Sequence, residues 1–158
     1  MAKSKEQCVN EFLSALPAAN SYSLVDAGYE SLELRSPNCV IRFSFDRGNT
    51  SSCITELVDP RNPERGMHLL LLLYLRGVTP TPNTARADFG RMVATIFPDV
   101  LSGDFRIQSQ YDAVETPFFN YLDIVKKLPT THPTRVLYEN HDLRWISEIQ
   151  NDLRSTQG

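Results

Sequence analysis

The chain has little of what usually carries chemistry. Its 158 residues include three cysteines, three histidines and seven glycines. Cys8, Cys39 and Cys53 are odd in number and never spaced as Cys-x-x-Cys, which argues against a disulfide framework or a zinc site. They read as small buried hydrophobes, Cys8 on the apolar side of a helix and the other two in strands. None of His68, His132 and His141 has a second histidine or cysteine at metal-ligand spacing, so no metal site is expected. There is no Gly-x-Ser-x-Gly elbow, P-loop or Gly-x-Gly-x-x-Gly, and so few glycines leave little material for a phosphate-cradling loop. No catalytic residue and no cofactor are expected. No apolar run reaches the roughly 18 residues of a membrane span. The opening Met-Ala-Lys-Ser-Lys-Glu-Gln-Cys lacks the apolar core of a signal peptide, and a reduced, cytoplasmic protein is the expectation.

What is present is an ordinary globular composition, 41% hydrophobic and 22% charged, in a length that suits one domain with a proper core. The net charge of −3 argues against nucleic acid or an anionic membrane as partner. That charge is unevenly placed. Residues 1–98 carry ten acids and ten bases, whereas residues 99–158 carry nine acids against six bases. An acidic C-terminal third suits a basic partner, and equally a solvated surface.

The chain is organised around Met67 to Leu75. Asn62 is placed to cap a helix there, Pro63 suits its first turn, and Gly77 suits a left-handed stop. Leu69 to Leu75 leaves no polar face, so this helix must be covered on nearly every side. Before it, Ser4-Lys-Glu-Gln7 forms a capping box, and Cys8, Val9, Phe12, Leu13 and Leu16 recur at helical spacing until Pro17. Residues 22 to 58 switch to period two. Leu32 and Leu34, then Cys39, Ile41, Phe43 and Phe45, face one way, and a hairpin loop at Asp46-Arg-Gly-Asn49 leads to a strand over about Ser51–Val58. That is an antiparallel meander of three strands, or four if Tyr22 to Val25 adds one.

Beyond the connector Val78-Thr-Pro-Thr-Pro82, Ala85, Phe89, Met92, Val93, Ile96 and Phe97 predict a helix stopped by Pro98. Residues 99–115 fit either a helix or a short strand, with helix preferred. Thr116-Pro117 reads as a cap and first turn for the stripe Phe118, Tyr121, Leu122, Val125 and Leu128. Pro129 to Pro133 reads as a loop. A last helix over about Asp142–Leu153 turns Leu143, Ile146, Ile149 and Leu153 inward. The predicted fold is a single α+β domain, residues 1–158: an N-terminal helix, a β-meander of 3–4 strands, and a helical second half around the central apolar helix.

Asp112 and Glu115 would share a helix face, as an acid–base pair or as a solvated surface. Tyr111 and Trp145 are the candidate binding aromatics. Trp145 precedes Ile146 and lies off the inward stripe, so it is read as partly exposed, an interface anchor or a ring laid across the core edge.

Two stretches carry a resemblance. One is Val40-Ile-Arg-Phe-Ser-Phe-Asp-Arg-Gly-Asn-Thr-Ser-Ser-Cys-Ile followed by a leucine-rich helix ending in Leu75-Arg76-Gly77. The other is Val100-Leu-Ser-Gly-Asp-Phe105, with Tyr111 six residues on, then helix and loop into Leu143-Arg-Trp145. In this layout the chain loosely resembles small bacterial cytoplasmic immunity proteins, which protect against polymorphic or secreted toxins in interbacterial competition. The resemblance implies a non-enzymatic protein that binds a cognate toxin and occludes its active site. Asp104, Tyr111, Asp112, Glu115 and Trp145 are the expected partner-binding residues. The alternative is a secretion chaperone or adaptor holding a client segment, and an enzyme lacking a recognisable motif is the third reading.

Overall fold

Ser4 starts the first helix, α1 (Lys5–Leu13), as its capping box predicts. The Ser4 hydroxyl accepts from the Gln7 amide at 3.1 Å, and the Gln7 side chain accepts from the Ser4 amide at 2.8 Å. These positions come from a computed structural model that describes residues 4–17, 21–28, 30–46, 49–78, 80, 84–140 and 142–157. Within them the chain is α+β, with seven helices and a five-stranded antiparallel sheet. It divides into two compact units. The first comprises Met1–Leu72 and Ala85–Ile107, the second Leu73–Thr84 and Gln108–Gly158.

In the first unit the strands are β1 (Ser23–Asp26), β2 (Ser31–Arg35), β3 (Val40–Asp46), β4 (Asn49–Val58) and β5 (Met67–His68). Each pairs with its chain neighbours in the order β1-β2-β3-β4-β5. The register sets Leu34, Ile41, Leu57 and Met67 side by side across four strands, and Leu32 opposite Phe43. This is the apolar face that the period-two alternation requires. Part of the expected hairpin loop, Arg47 and Gly48, lies outside the described residues.

Helix α1 covers that face. Phe12 meets Phe43 edge to face, with ring centroids 5.1 Å apart. Cys8, Val9, Phe12 and Leu16 are all buried. Helix α3 (Arg86–Ile96) packs against α1 and approaches it closely at Gly90, where a β-carbon would lie 2.4 Å from the Phe12 carbonyl oxygen. A short α4 (Pro98–Leu101) follows, and Phe97 and Val100 are fully buried.

The central segment differs from expectation at its start. Met67 and His68 extend the sheet as β5, and the helix α2 is Leu69–Leu75 alone. Asn62 does not cap it. Asp59 to Arg65 instead forms successive turns closed by Asn62 N–H to the Asp59 carbonyl and Arg65 N–H to the Asn62 carbonyl. The C-terminal end does follow expectation. Gly77 sits at φ 72°, its amide donates to the Tyr74 carbonyl, and the Val78 amide donates to the Leu73 carbonyl. That is a Schellman stop, which satisfies two carbonyls left over at the helix end. No residue of α2 is exposed.

In the second unit α5 runs from Gln108 to Lys127 without a break at Pro117. Thr116-Pro117 is therefore not a helix start. Proline removes one backbone donor and crowds the preceding turn. Helical spacing on both sides, with Tyr111 and Val125 buried, outweighs that loss. Residues 99–107 form α4 and a loop, with no strand. Helix α6 (Pro133–Glu139) occupies the residues after the expected loop, and α7 (Arg144–Gln157) closes the chain. Val125, Leu143, Trp145, Ile146 and Ile149 form the core of this unit, with Tyr74, Phe118, Tyr121 and Tyr138 packed around it.

Candidate functional site

Trp145 is a core residue, 3% exposed, with its ring 5.8 Å from that of Phe118 and 5.6 Å from that of Tyr138. The expectation of a partly exposed anchor is corrected. Trp145, Ile149 and Leu153 are successive fourth residues, so the inward stripe of α7 is wider than Leu143, Ile146, Ile149 and Leu153 alone. Tyr111 is likewise buried, at 4%. Neither ring is offered to a partner.

Asp104 is also committed locally. Its carboxylate accepts from the Arg106 backbone amide at 3.1 Å and from the Arg106 guanidinium at 2.6 Å. The same Asp-x-Arg turn recurs at Asp59–Arg61 and Asp142–Arg144. In each the arginine lies on the aspartate, which holds the Asp59 and Asp142 carboxyls below the usual range and raises the arginines. Asp104 therefore adds little net negative field to the surface.

Asp112 and Glu115 remain on the surface of α5, both half-buried, and Asp112 accepts from the Gln108 side chain at 3.0 Å. The unbroken helix adds two residues to them. Steps of three, four and four place Asp112, Glu115, Phe119 and Asp123 on one stripe. Phe119 is 57% exposed, and Asp123 is exposed. No ion pair to Glu115 or Asp123 exists among the described residues. The stripe is thus an exposed aromatic ring flanked along the helix by carboxylates. Phe119 could have been found from sequence. Of two adjacent phenylalanines only one can point inward, and Phe118 is the one in register with Tyr121, Leu122 and Val125.

The strongest electrostatic feature of the first unit is a row across the outer sheet face. Register sets Glu33, Arg42, Glu56 and His68 on adjacent strands. Glu33 is 5% exposed, and its two carboxylate oxygens take different arginines, Arg35 at 2.7 Å and Arg42 at 2.8 Å. Burial pushes this carboxyl up, but the two arginines outweigh burial and leave it below the ordinary value. Arg42 also reaches Glu56 at 3.9 Å and donates to the Pro63 carbonyl at 3.1 Å, tying the turns after β4 to the sheet. Every member of this network has its partner in place, so its work is structural.

The histidines divide. His132 caps α6, its Nδ1 accepting from the Thr134 amide at 3.1 Å. His68 Nδ1 accepts from the Leu70 amide at 3.2 Å, and burial lowers its pKa. His141 lies outside the described residues. The three cysteines are free. Burial pushes the Cys39 thiol up to about 12 and also raises that of Cys53. No group of three or more metal-ligating side chains is present among the described residues, and none of the described helices is long and apolar enough to cross a membrane.

No family model, no curated protein and no solved structure matches the chain. The functional reading therefore rests on these residues alone.

Proposed function

We propose that this is a non-catalytic cytoplasmic immunity protein, which binds a cognate bacterial toxin and covers its active site. The observation that carries the reading is the α5 stripe. Aromatic rings are the side chains most often used as interface anchors, and Phe119 is held more than half exposed on a rigid helix. Asp112, Glu115 and Asp123 along the same stripe supply a negative field. A toxin that handles an anionic nucleotide, nucleic acid or cofactor has a basic site, and such a field steers association with it. Contact passes from Trp145, Tyr111 and Asp104 to Phe119 and Asp123, with Asp112 and Glu115 retained.

The test starts from the tagged full chain in lysate of its native host, followed by sizing and mass spectrometry of what co-elutes. The expected result is a stoichiometric complex with a toxin domain whose activity the chain blocks. With that toxin, Phe119→Ala should weaken binding by about 2 kcal/mol, roughly thirtyfold. Asp112→Lys with Glu115→Lys should slow association most at low salt. Unchanged affinity in both variants would remove the α5 stripe from the interface. A dimer holding a flexible segment of a secreted protein would replace this reading with the chaperone.

A further inference from the structure

Among the described residues, Phe119 is the most exposed large apolar side chain, at 57%. Its ring is held in place all the same. It meets the Phe118 ring at 5.9 Å with the planes inclined by 63°, and Phe118 meets the buried Trp145 at 5.8 Å. The ring is anchored by the core of its own unit and stays open to solvent.

Carboxylates bracket it. Glu115 lies one turn before Phe119 and Asp123 one turn after, each about 6 Å away along the helix axis. Lys127 is within helical reach of Asp123, whereas no basic residue stands three or four places from Glu115. Glu115 is half-buried and makes no ion pair among the described residues.

This combination selects among partner groups. An apolar pocket closing over Phe119 would strip water from Glu115 and return no donor, which is costly for a carboxylate. A phosphate or a nucleic acid backbone would meet like charge. A lysine ammonium would satisfy the carboxylate, but it is compact and strongly hydrated and covers little of the ring. A guanidinium serves both groups. Its weakly hydrated faces stack on an aromatic ring, and its five N–H donors point outward in the plane, where a carboxylate can accept them. The second unit already holds one arginine in this way. The Arg135 guanidinium carbon lies 5.9 Å from the centre of the Tyr138 ring, while Arg135 Nε donates to Glu139 at 2.7 Å.

We infer that the α5 stripe, taken as the contact surface of the proposed complex, receives an arginine side chain of the partner. The guanidinium stacks on Phe119 and donates to Glu115, and Asp123 adds to the attraction. Phe119 is then read by a cation and not by an apolar pocket.

The test needs no toxin. The isotopically labelled full chain is titrated, at constant ionic strength, with a short blocked peptide carrying two arginines between glycines. Lysine and neutral citrulline counterparts are run beside it. Saturable NMR shifts centred on Glu115 and Phe119 are expected for the arginine peptide, in the millimolar range. The lysine peptide should bind about threefold more weakly, and the citrulline peptide should not saturate. Phe119→Trp should keep or tighten binding, whereas Phe119→Leu, which preserves apolar bulk at an exposed site, should weaken it about three- to fivefold. Failure of the arginine peptide to saturate, equal binding of the citrulline peptide, or full affinity in Phe119→Leu would each overturn the assignment. Equal binding of the lysine peptide would overturn the choice of arginine. The two proposals fail separately. Peptide binding as expected, with no toxin recovered from the host, overturns the immunity reading alone. A toxin complex that keeps full affinity in Phe119→Leu overturns the arginine contact alone.

Discussion

Replacing Gly90 with alanine sets two effects of opposite sign against each other, and the structure decides between them. Alanine in a helix interior is favoured over glycine by about 1 kcal/mol, because glycine loses more backbone freedom on folding. Gly90 lies inside α3 with no positive φ, so that gain is fully available. Against it, the new β-carbon would lie 2.4 Å from the Phe12 carbonyl oxygen and 3.1 Å from the Ala15 β-carbon. The nearer atom is backbone at the end of α1, and it accepts from the Ala15 amide at 3.2 Å. Relief requires α1 to move off α3, which disturbs the buried Phe12–Phe43 pair below. Overpacking of this kind typically costs about 1–3 kcal/mol, and a backbone obstacle places it toward the upper end. The net expectation is a loss of about 1–2 kcal/mol, read as a lower urea midpoint at unchanged slope. Adding Ala15→Gly removes only the longer contact and should restore little. A Gly90→Ala protein as stable as its parent, or more so, would refute the close approach of α1 and α3.

The remaining expectations are simpler. Glu33→Gln should destabilise by about 2 kcal/mol at pH 7, because two arginines lose their carboxylate and one of them, Arg42, is largely buried. The folded pKa of Glu33 lies below its ordinary value of 4.5. Its contribution is therefore complete above pH 4.5 and fades as pH falls through the folded value. Urea midpoints across pH 3 to 7 should converge for parent and variant at the acid end, and a constant gap would sink the assignment. Trp145→Ala should cost about 3–5 kcal/mol, whereas Phe119→Ala should change stability by less than about 1 kcal/mol; equal losses by chemical denaturation would contradict their opposite burial. Ser4→Ala should cost about 1 kcal/mol and increase amide exchange in the first turn of α1, and unaltered exchange would deny the capping box its role.

Much of this architecture was readable because the local signals agree with the packing. Ser4 and Gln7 announce α1, alternation from Leu32 to Phe45 announces the inner sheet face, and Gly77 announces the end of α2. The failures have specific causes. Met67-His68 is too short to alternate and runs directly into leucines, so a two-residue strand reads as the start of the helix. Thr116-Pro117 has every feature of a helix start, and only the buried stripe on both sides shows that α5 continues. Helix α6 is capped by a histidine nitrogen, outside the usual Ser, Thr, Asp and Asn set. At the α5 stripe, Asp112 and Glu115 were legible as neighbours, but Phe119 and Asp123 joined them only once the helix was continuous.

The order of the sheet also bears on how fast the first unit forms. Every strand pairs with its neighbour in the chain, so the whole meander can zip up hairpin by hairpin with short loop closures. The contact of α1 with α3 is different in kind, because Phe12 and Gly90 stand at opposite ends of that unit's sequence. Closing them carries a larger entropic cost and is expected late, after the sheet has given Phe12 a surface to settle on. Perturbation at Gly90 should then leave the refolding rate nearly unchanged and appear almost wholly as faster unfolding.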